Sequence, residues 1–279
     1  MPKARKQHSK DSDDEFAPGP SSQAPSTQVH SSQAAKAVAN MDPNDLEKRF
    51  NDLVQYLLIM DQKKLPIKKQ DINKHILKEN RGAFPELMKK AGNALLEVFG
   101  IELVQLEDKY KGSYILVNRV DTDTEDLENR EGQDGQDFTP VEWSEEDDAK
   151  TGLLMVILSL IFMNGQFMLD SYMWHTLKKL GIDTDFNHEV FGDSKKLITQ
   201  EFVRQGYIEY TRQQNSDPPV HEFRWGQRAK QEISKKNCLD FVSQLYGRDP
   251  EQWISQYQAV VDEGEAVATT SRELKILII

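Results

Sequence analysis

The sequence predicts a mostly α-helical fold with small β-hairpins, arranged as two compact domains of one plan. Three observations carry this. The order helix, helix, helix, hairpin occurs twice along the 279 residues. Residues 119–150 separate the two occurrences; they carry 3 basic and 13 acidic side chains, net −10 of the chain's −11. Apolar residues make up 38 % of the chain, a low share that leaves room for unpacked segments.

Residues 1–41 are rich in Ser, Gln, Pro and Ala and poor in large apolar side chains. Such a composition buries too little surface to offset its ordering entropy, so a disordered tail is expected. Asp42-Pro43 then supplies an N-cap and a proline at the first helical position. Leu46, Phe50, Leu53, Val54, Leu57 and Leu58 recur at helical spacing until Pro66. A short second helix carries Ile72, Ile76 and Leu77. A third, opened by Pro85 and stopped by Gly100, aligns Leu87, Ala91, Leu95 and Val98. Strands at 101–106 and 113–117 flank a polar turn containing Lys109 and Lys111. Three helices and a hairpin are the order of a winged helix, so 42–118 reads as one such domain.

The acidic stretch 119–150 lacks a core of its own and reads as a linker that keeps the domains soluble and mobile, with nucleic-acid mimicry as the alternative. The second domain, 151–262, repeats the order with helices at 152–163, 169–180 and 194–205 and strands at 207–211 and 220–225. Two extra helices follow, at 227–246 and 250–261. Residues 263–279 read as a loose tail, although its end, 274–279, is apolar.

Several function classes are excluded at this stage. Cys238 is the one cysteine, so neither an internal disulfide nor a cysteine zinc cluster can form. The six histidines, His8, His30, His75, His175, His188 and His221, show no metal-ligand spacing. No phosphate loop, Rossmann fingerprint or nucleophile elbow is present, so neither catalysis nor a cofactor is expected. The amino terminus does not read as a secretory signal. The longest apolar run, 152–163, is shorter than the roughly 20 residues a membrane span needs, so no membrane association is expected.

Six segments are familiar together. They are Val98-Phe99-Gly100-Ile101-Glu102-Leu103, Leu153-Leu154-Met155, Leu160-Ile161-Phe162-Met163-Asn164-Gly165, Lys196-Leu197-Ile198-Thr199, the run from Phe202 to Tyr210, and Glu222-Phe223-Arg224-Trp225-Gly226-Gln227-Arg228-Ala229. In this order they resemble the MAGE family over about residues 46–262, with Gln227 standing where members usually have proline. The first helix, with Tyr56-Leu57-Leu58-Ile59-Met60-Asp61-Gln62-Lys63-Lys64, is most similar to the branch that serves the SMC five–six complex. The resemblance implies a MAGE homology domain made of two tandem winged helices. It also implies a nuclear, chromosome-associated scaffold in DNA repair and recombination. Its partners would be a RING-like subunit (non-SMC element one), a kleisin (non-SMC element four), the SMC five–six heterodimer and duplex DNA. The alternative is an adaptor that activates a RING ubiquitin ligase without touching DNA.

Candidate residues follow. Winged helices use helix three and the wing on DNA. Lys89 and Lys90 in the first domain, and Lys195, Lys196, Arg204, Arg212 and Arg224 in the second, could meet phosphates without reading sequence. A solvated charged face has the same composition, and Glu201, Glu209 and Glu222 dilute the patch. Helix one is apolar over a wide arc, with Leu53, Leu57 and Met60 on one stripe and Leu58 and Ile59 beside it. The resemblance makes Leu53, Leu57 and Leu58 candidates for the RING partner; a core helix would show the same stripe. Leu239, Val242, Leu245 and Tyr246 form a second stripe, which is more often core. The resemblance makes Leu239, Val242 and Leu245 candidates for the kleisin. Trp225 and Phe223 are expected to anchor the second wing.

Overall fold

A computed structural model describes residues 26–120, 144–214 and 217–277, with side chains for 33–120, 144–214 and 217–265. Each half is a winged helix closed by a three-stranded antiparallel sheet. In the first domain, helix α2 (Pro43–Asp61) starts where the sequence places it. The Asp42 carboxylate accepts the Asn44 and Asp45 N–H groups at 2.8 and 3.3 Å. Strand β1 (Ile67–Lys68) leads into α3 (Lys69–Ile72), which continues through a π turn (Asn73–Leu77) and a 3₁₀ turn (Lys78–Ala83). Helix α4 (Phe84–Phe99) ends at Gly100, whose φ of 64° closes it. Strands β2 (Ile101–Gln105) and β3 (Ser113–Asn118) form the wing, with β1 on the far edge of β3. Leu53, Leu57, Ile72, Leu77, Leu87, Ala91 and Leu95 close the core. Each buried leucine contributes roughly 2 kcal/mol of transfer free energy.

The second domain repeats this. Helix α5 is Glu145–Met163, followed by β4 (Phe167–Leu169) and α6 (Asp170–Lys179). Helix three is α7 (Ser194–Lys196), a π turn (Leu197–Glu201) and α8 (Phe202–Gln205). The wing is β5 (Ile208–Arg212) and β6 (His221–Trp225), with β4 pairing the free edge of β6. Phe223 is fully buried with Trp174 edge-on at 5.3 Å, and the Trp225 indole N–H donates to the Leu158 carbonyl at 2.8 Å. The two aromatics therefore anchor the wing as expected. Helices α9 (Gln227–Glu232), α10 (Lys235–Tyr246) and α11 (Ile254–Leu277) complete the chain.

Several sequence expectations change. Residues 26–39, expected to be disordered, form helix α1 (Ser26–Ala39). It packs on α4 and the 3₁₀ turn through small side chains, with Ala34 2 % exposed and Ala37 close over Gly82. Small residues let backbones approach without a large apolar stripe. The end of the acidic stretch is helical: Ser144 caps α5, and Glu145 to Asp148 fill its first turn, where the helix dipole favours anions. Residues 121–143 of that stretch, and 1–25 of the tail, lie outside the described residues. The helix expected over 227–246 is two helices, because Ser234 caps α10 through the Asn237 N–H at 3.0 Å. The tail expected from 263 continues as α11 to Leu277. Val98 points outward, 71 % exposed.

Gly226 marks a close approach. A Cβ there would collide with the Gly206 carbonyl, although its φ of −78° suits any residue. Gly226→Ala is expected to cost about 2 kcal/mol, as overpacking does. Gly152→Ala, inside α5 with open space around it, is expected to stabilise by roughly 0.5–1 kcal/mol. Chemical denaturation of the two variants checks both signs.

Candidate functional site

The predicted cations fall into three groups. On α4, Lys89 is exposed with no ion pair in the described structure, while Lys90 lies 4.3 Å from the centroid of the Phe50 ring. On helix three of the second domain, Lys195 is exposed above Trp174 at 5.6 Å, and Lys196 pairs with Asp193 at 2.8 Å. That Lys196 hydrogen bond, with the Lys196 backbone N–H, holds the Asp193 carboxyl below its ordinary range. Lys196 and Arg204 line one open groove of about 470 Å³ together with Lys150 of α5. Glu146, Asp193 and Glu201 line it too, so its charge is mixed.

The wing arginines do not act together. Strand register pairs Arg212 with His221 and Arg224 with Glu209. Side chains alternate faces along a strand, so Arg212 and Arg224 stand on opposite faces. Arg224 is also bound to Glu222 at 2.7 Å and stacks over Phe167 at 5.2 Å. The Glu222 carboxyl is held low, first by Arg224 and then by Gln213. Lys195, Arg204 and Lys89 are left as exposed cations without an ion pair among the described residues.

The apolar candidates divide between core and surface. Leu53 and Leu57 are 0 % exposed within the first domain's core. They cannot touch a partner while the domain is folded, which corrects the docking assignment. Leu58 is half-buried, and Ile59 beside it is 49 % exposed. Leu239 and Val242 belong to the buried interior of the second domain, a second correction, whereas Leu245 is 71 % exposed. Tyr246 stands out as well, edge-on to Trp253 at 5.8 Å.

Among the described residues no grouping of acids and histidines points to catalysis. The Tyr210 hydroxyl donates to Asp170 at 3.3 Å and its ring stacks on His221 at 4.8 Å. Burial, then Asp170, pushes the Tyr210 phenol up to about 12, which keeps it protonated. Among the described residues no three His, Cys, Asp or Glu side chains gather to hold a metal, and no helix is long and apolar enough to cross a membrane.

What sequence reasoning missed is a seam between the domains, polar around a buried apolar patch of Leu106, Ile115 and Val117 on the outer face of the first wing. The turn of the first wing, with its 3₁₀ segment Asp108–Tyr110, docks on the second domain. Its Tyr110 hydroxyl donates to the Val203 carbonyl at 3.0 Å, and Lys109 pairs with Glu209 at 3.2 Å. The Gln227 carboxamide bonds the Glu107 backbone on both sides, at 2.9 and 3.0 Å. Arg119 donates to the Gln231 carbonyl at 3.1 Å. Arg228 is completely buried, bonded to Glu232 at 2.7 Å and to the Gln205 carbonyl at 3.0 Å, and 3.8 Å from Asp61 at the end of α2. The one sequence signal was Glu232, four residues after Arg228 on the same helix.

Two winged helices in tandem, docked wing to domain and followed by further helices, define a MAGE-type protein. A family model described as the MAGE homology domain matches residues 53–236, and the chain belongs to the MAGE family. It is similar to the human protein named non-structural maintenance of chromosomes element 3 homolog, 44 % identical over 244 residues, covering 87 % of this chain and 76 % of that one. Human melanoma-associated antigen D2 is 41 % identical over 235 residues, 84 % of this chain and 36 % of its own. A chain of the solved Nse1-Nse3-Nse4 complex superposes with a TM-score of 0.69 at 41 % identity, covering 79 % of this chain and 99 % of that one.

The division between core and surface is measurable. Leu57→Ala is expected to lower stability by about 3 kcal/mol, and Leu245→Ala to change it by less than about 0.5 kcal/mol. Urea unfolding of the two variants separates a structural leucine from one free to meet a partner.

Proposed function

We propose that the chain is a non-catalytic scaffold subunit of an SMC five–six complex, acting in the nucleus on chromosomes in DNA repair and maintenance. In this reading it bridges a RING-like subunit of the Nse1 type and a kleisin of the Nse4 type, and through them joins the SMC heterodimer. The observation that carries it is the match to a chain of the Nse1-Nse3-Nse4 complex over nearly all of that chain's length. Leu58 with Ile59 on the first domain, and Leu245 with Tyr246 on the second, are the exposed or half-exposed members of the two stripes. They are proposed as the partner contacts in place of their buried neighbours.

The scaffold also binds duplex DNA, through the helix-three face of the second domain. Lys195 and Arg204 supply unpaired charge there, with Lys150 and Lys196 beside them. Lysine and arginine on phosphate release counterions whatever the base sequence, so affinity without sequence choice is expected.

Two measurements test this reading. A pull-down of the full chain from nuclear extract, read by mass spectrometry, is expected to recover SMC subunits, a kleisin and a RING-like protein. Leu58→Ala/Ile59→Ala is expected to lose the RING-like protein alone. Recovery of an unrelated RING ligase without SMC subunits would move the chain to the ligase-adaptor class. In DNA titrations, Lys195→Glu/Arg204→Glu is expected to weaken binding at least about tenfold and to flatten the log-affinity against log-salt slope by about 2. Parent-like affinity in that double variant would place the DNA contact elsewhere.

A further inference from the structure

Charge is unevenly spread over the first domain. Residues 62–90 carry 9 basic and 3 acidic side chains, net +6 in a chain of net −11. Several of these cations are already engaged inside the fold. Lys64 is paired with Asp61 at 2.6 Å, Lys69 lies 4.6 Å from the centroid of the Phe84 ring, and Lys90 lies 4.3 Å from that of Phe50. Lys74, Lys78 and Arg81 are not. They line one open hollow of about 540 Å³, where the π turn (Asn73–Leu77) passes into the 3₁₀ turn (Lys78–Ala83). All three are exposed, and none has an ion pair among the described residues. Glu79 also lines the hollow and pairs with none of them.

The backbone holds these cations together under strain. Lys78 has φ 51° and ψ −105°, a conformation rare for a residue with a Cβ and open to glycine. Such strain collects at binding sites, where the surroundings over-determine it. Arg81 Nε donates to the Lys78 carbonyl at 3.0 Å, which ties the turn. Both terminal nitrogens of the guanidinium are left without a partner among the described residues, in a fork suited to phosphate. Like charges on one short segment repel, so their convergence does not serve the fold.

The described lining of the hollow holds no apolar side chain. A lipid surface takes apolar anchors beside the charge, and a peptide takes pockets for its side chains. Nucleic-acid backbone needs only cations within reach of its phosphates. We propose that Lys74, Lys78 and Arg81 form a second phosphate-binding site, on the first domain, which takes the backbone of duplex DNA without reading its sequence. It is separate from the helix-three face of the second domain, and it rests on the reading that the chain binds duplex DNA.

Duplex titrations of the full chain, with thermal unfolding beside them, test the site. Lys78→Gly removes one cation and relieves the backbone. Its unfolding midpoint is expected at or above that of the parent, while its DNA affinity falls at least about threefold. A lysine with a structural role alone would not move the two in opposite directions. Lys74→Gln/Lys78→Gly/Arg81→Gln is expected to lose at least about tenfold in affinity and to flatten the log-affinity against log-salt slope by about 2 to 3. Parent-like affinity and slope in this triple variant would overturn the site. If Lys195→Glu/Arg204→Glu then still weakens binding, the DNA reading stands without it. A parent chain that binds no duplex would overturn both. Parent-like DNA affinity in the triple variant, with loss of binding to a phosphoserine peptide, would overturn the site as a DNA contact and give the hollow to a phosphoprotein.

Discussion

The structure depends on one buried charge. Arg228 sits at the exit of the second wing, with no part of it reached by solvent. A charge in such a place must be neutralised locally, because an unpaired buried ion costs several kcal/mol. Glu232 supplies the counter-charge and the Gln205 carbonyl a second acceptor. The Tyr207 ring lies 5.6 Å away, and its hydroxyl donates to Glu232 at 2.7 Å. Burial, and then Glu232, push the Tyr207 phenol well above its ordinary range, so it stays a donor. The end of helix three, the base of the wing and α9 are thereby fixed to each other. Gly226 allows it, since only a residue without a Cβ can lie this close to Gly206.

That fixed corner determines which charges are left for other molecules. Arg228 is consumed internally, Arg224 is bound to Glu222, Lys196 to Asp193, and Lys109 to Glu209 across the seam. The cations that remain on the helix-three face are therefore fewer than the sequence suggests. The two wings, alike in topology, have also diverged in use. The turn of the first docks on the second domain, whereas the second meets the seam only along its first strand, through Glu209.

Much of this was legible in the residues. Apolar periodicity located the principal helices, Asp42-Pro43 marked the start of α2 to the residue, and the twofold recurrence of helix, helix, helix, hairpin gave the architecture. Strands β1 and β4 escaped because two or three residues are too few for an alternating pattern to register. Helix α1 escaped because it docks through alanines, which carry little hydrophobic signal. The apolar stripes were visible but their outward edges were not. Leu57 and Leu58, or Val242 and Leu245, differ by a fraction of a helical turn, and only packing decides which faces water. The seam was invisible for a different reason. Asp61, Glu107, Gln227 and Arg228 are ordinary polar residues far apart in sequence, and nothing local marks them as neighbours.

The docked wing has a consequence for how the chain tolerates being cut. The junction is a small apolar patch on the outer face of the first wing, Leu106, Ile115 and Val117, ringed by a handful of hydrogen bonds and one ion pair. The domains also belong to one polypeptide, which keeps each near the other at an effective concentration in the millimolar range. A single break between residues 120 and 144 would leave every contact of the seam chemically intact and remove that contribution. Tether and interface together make the two halves one molecule.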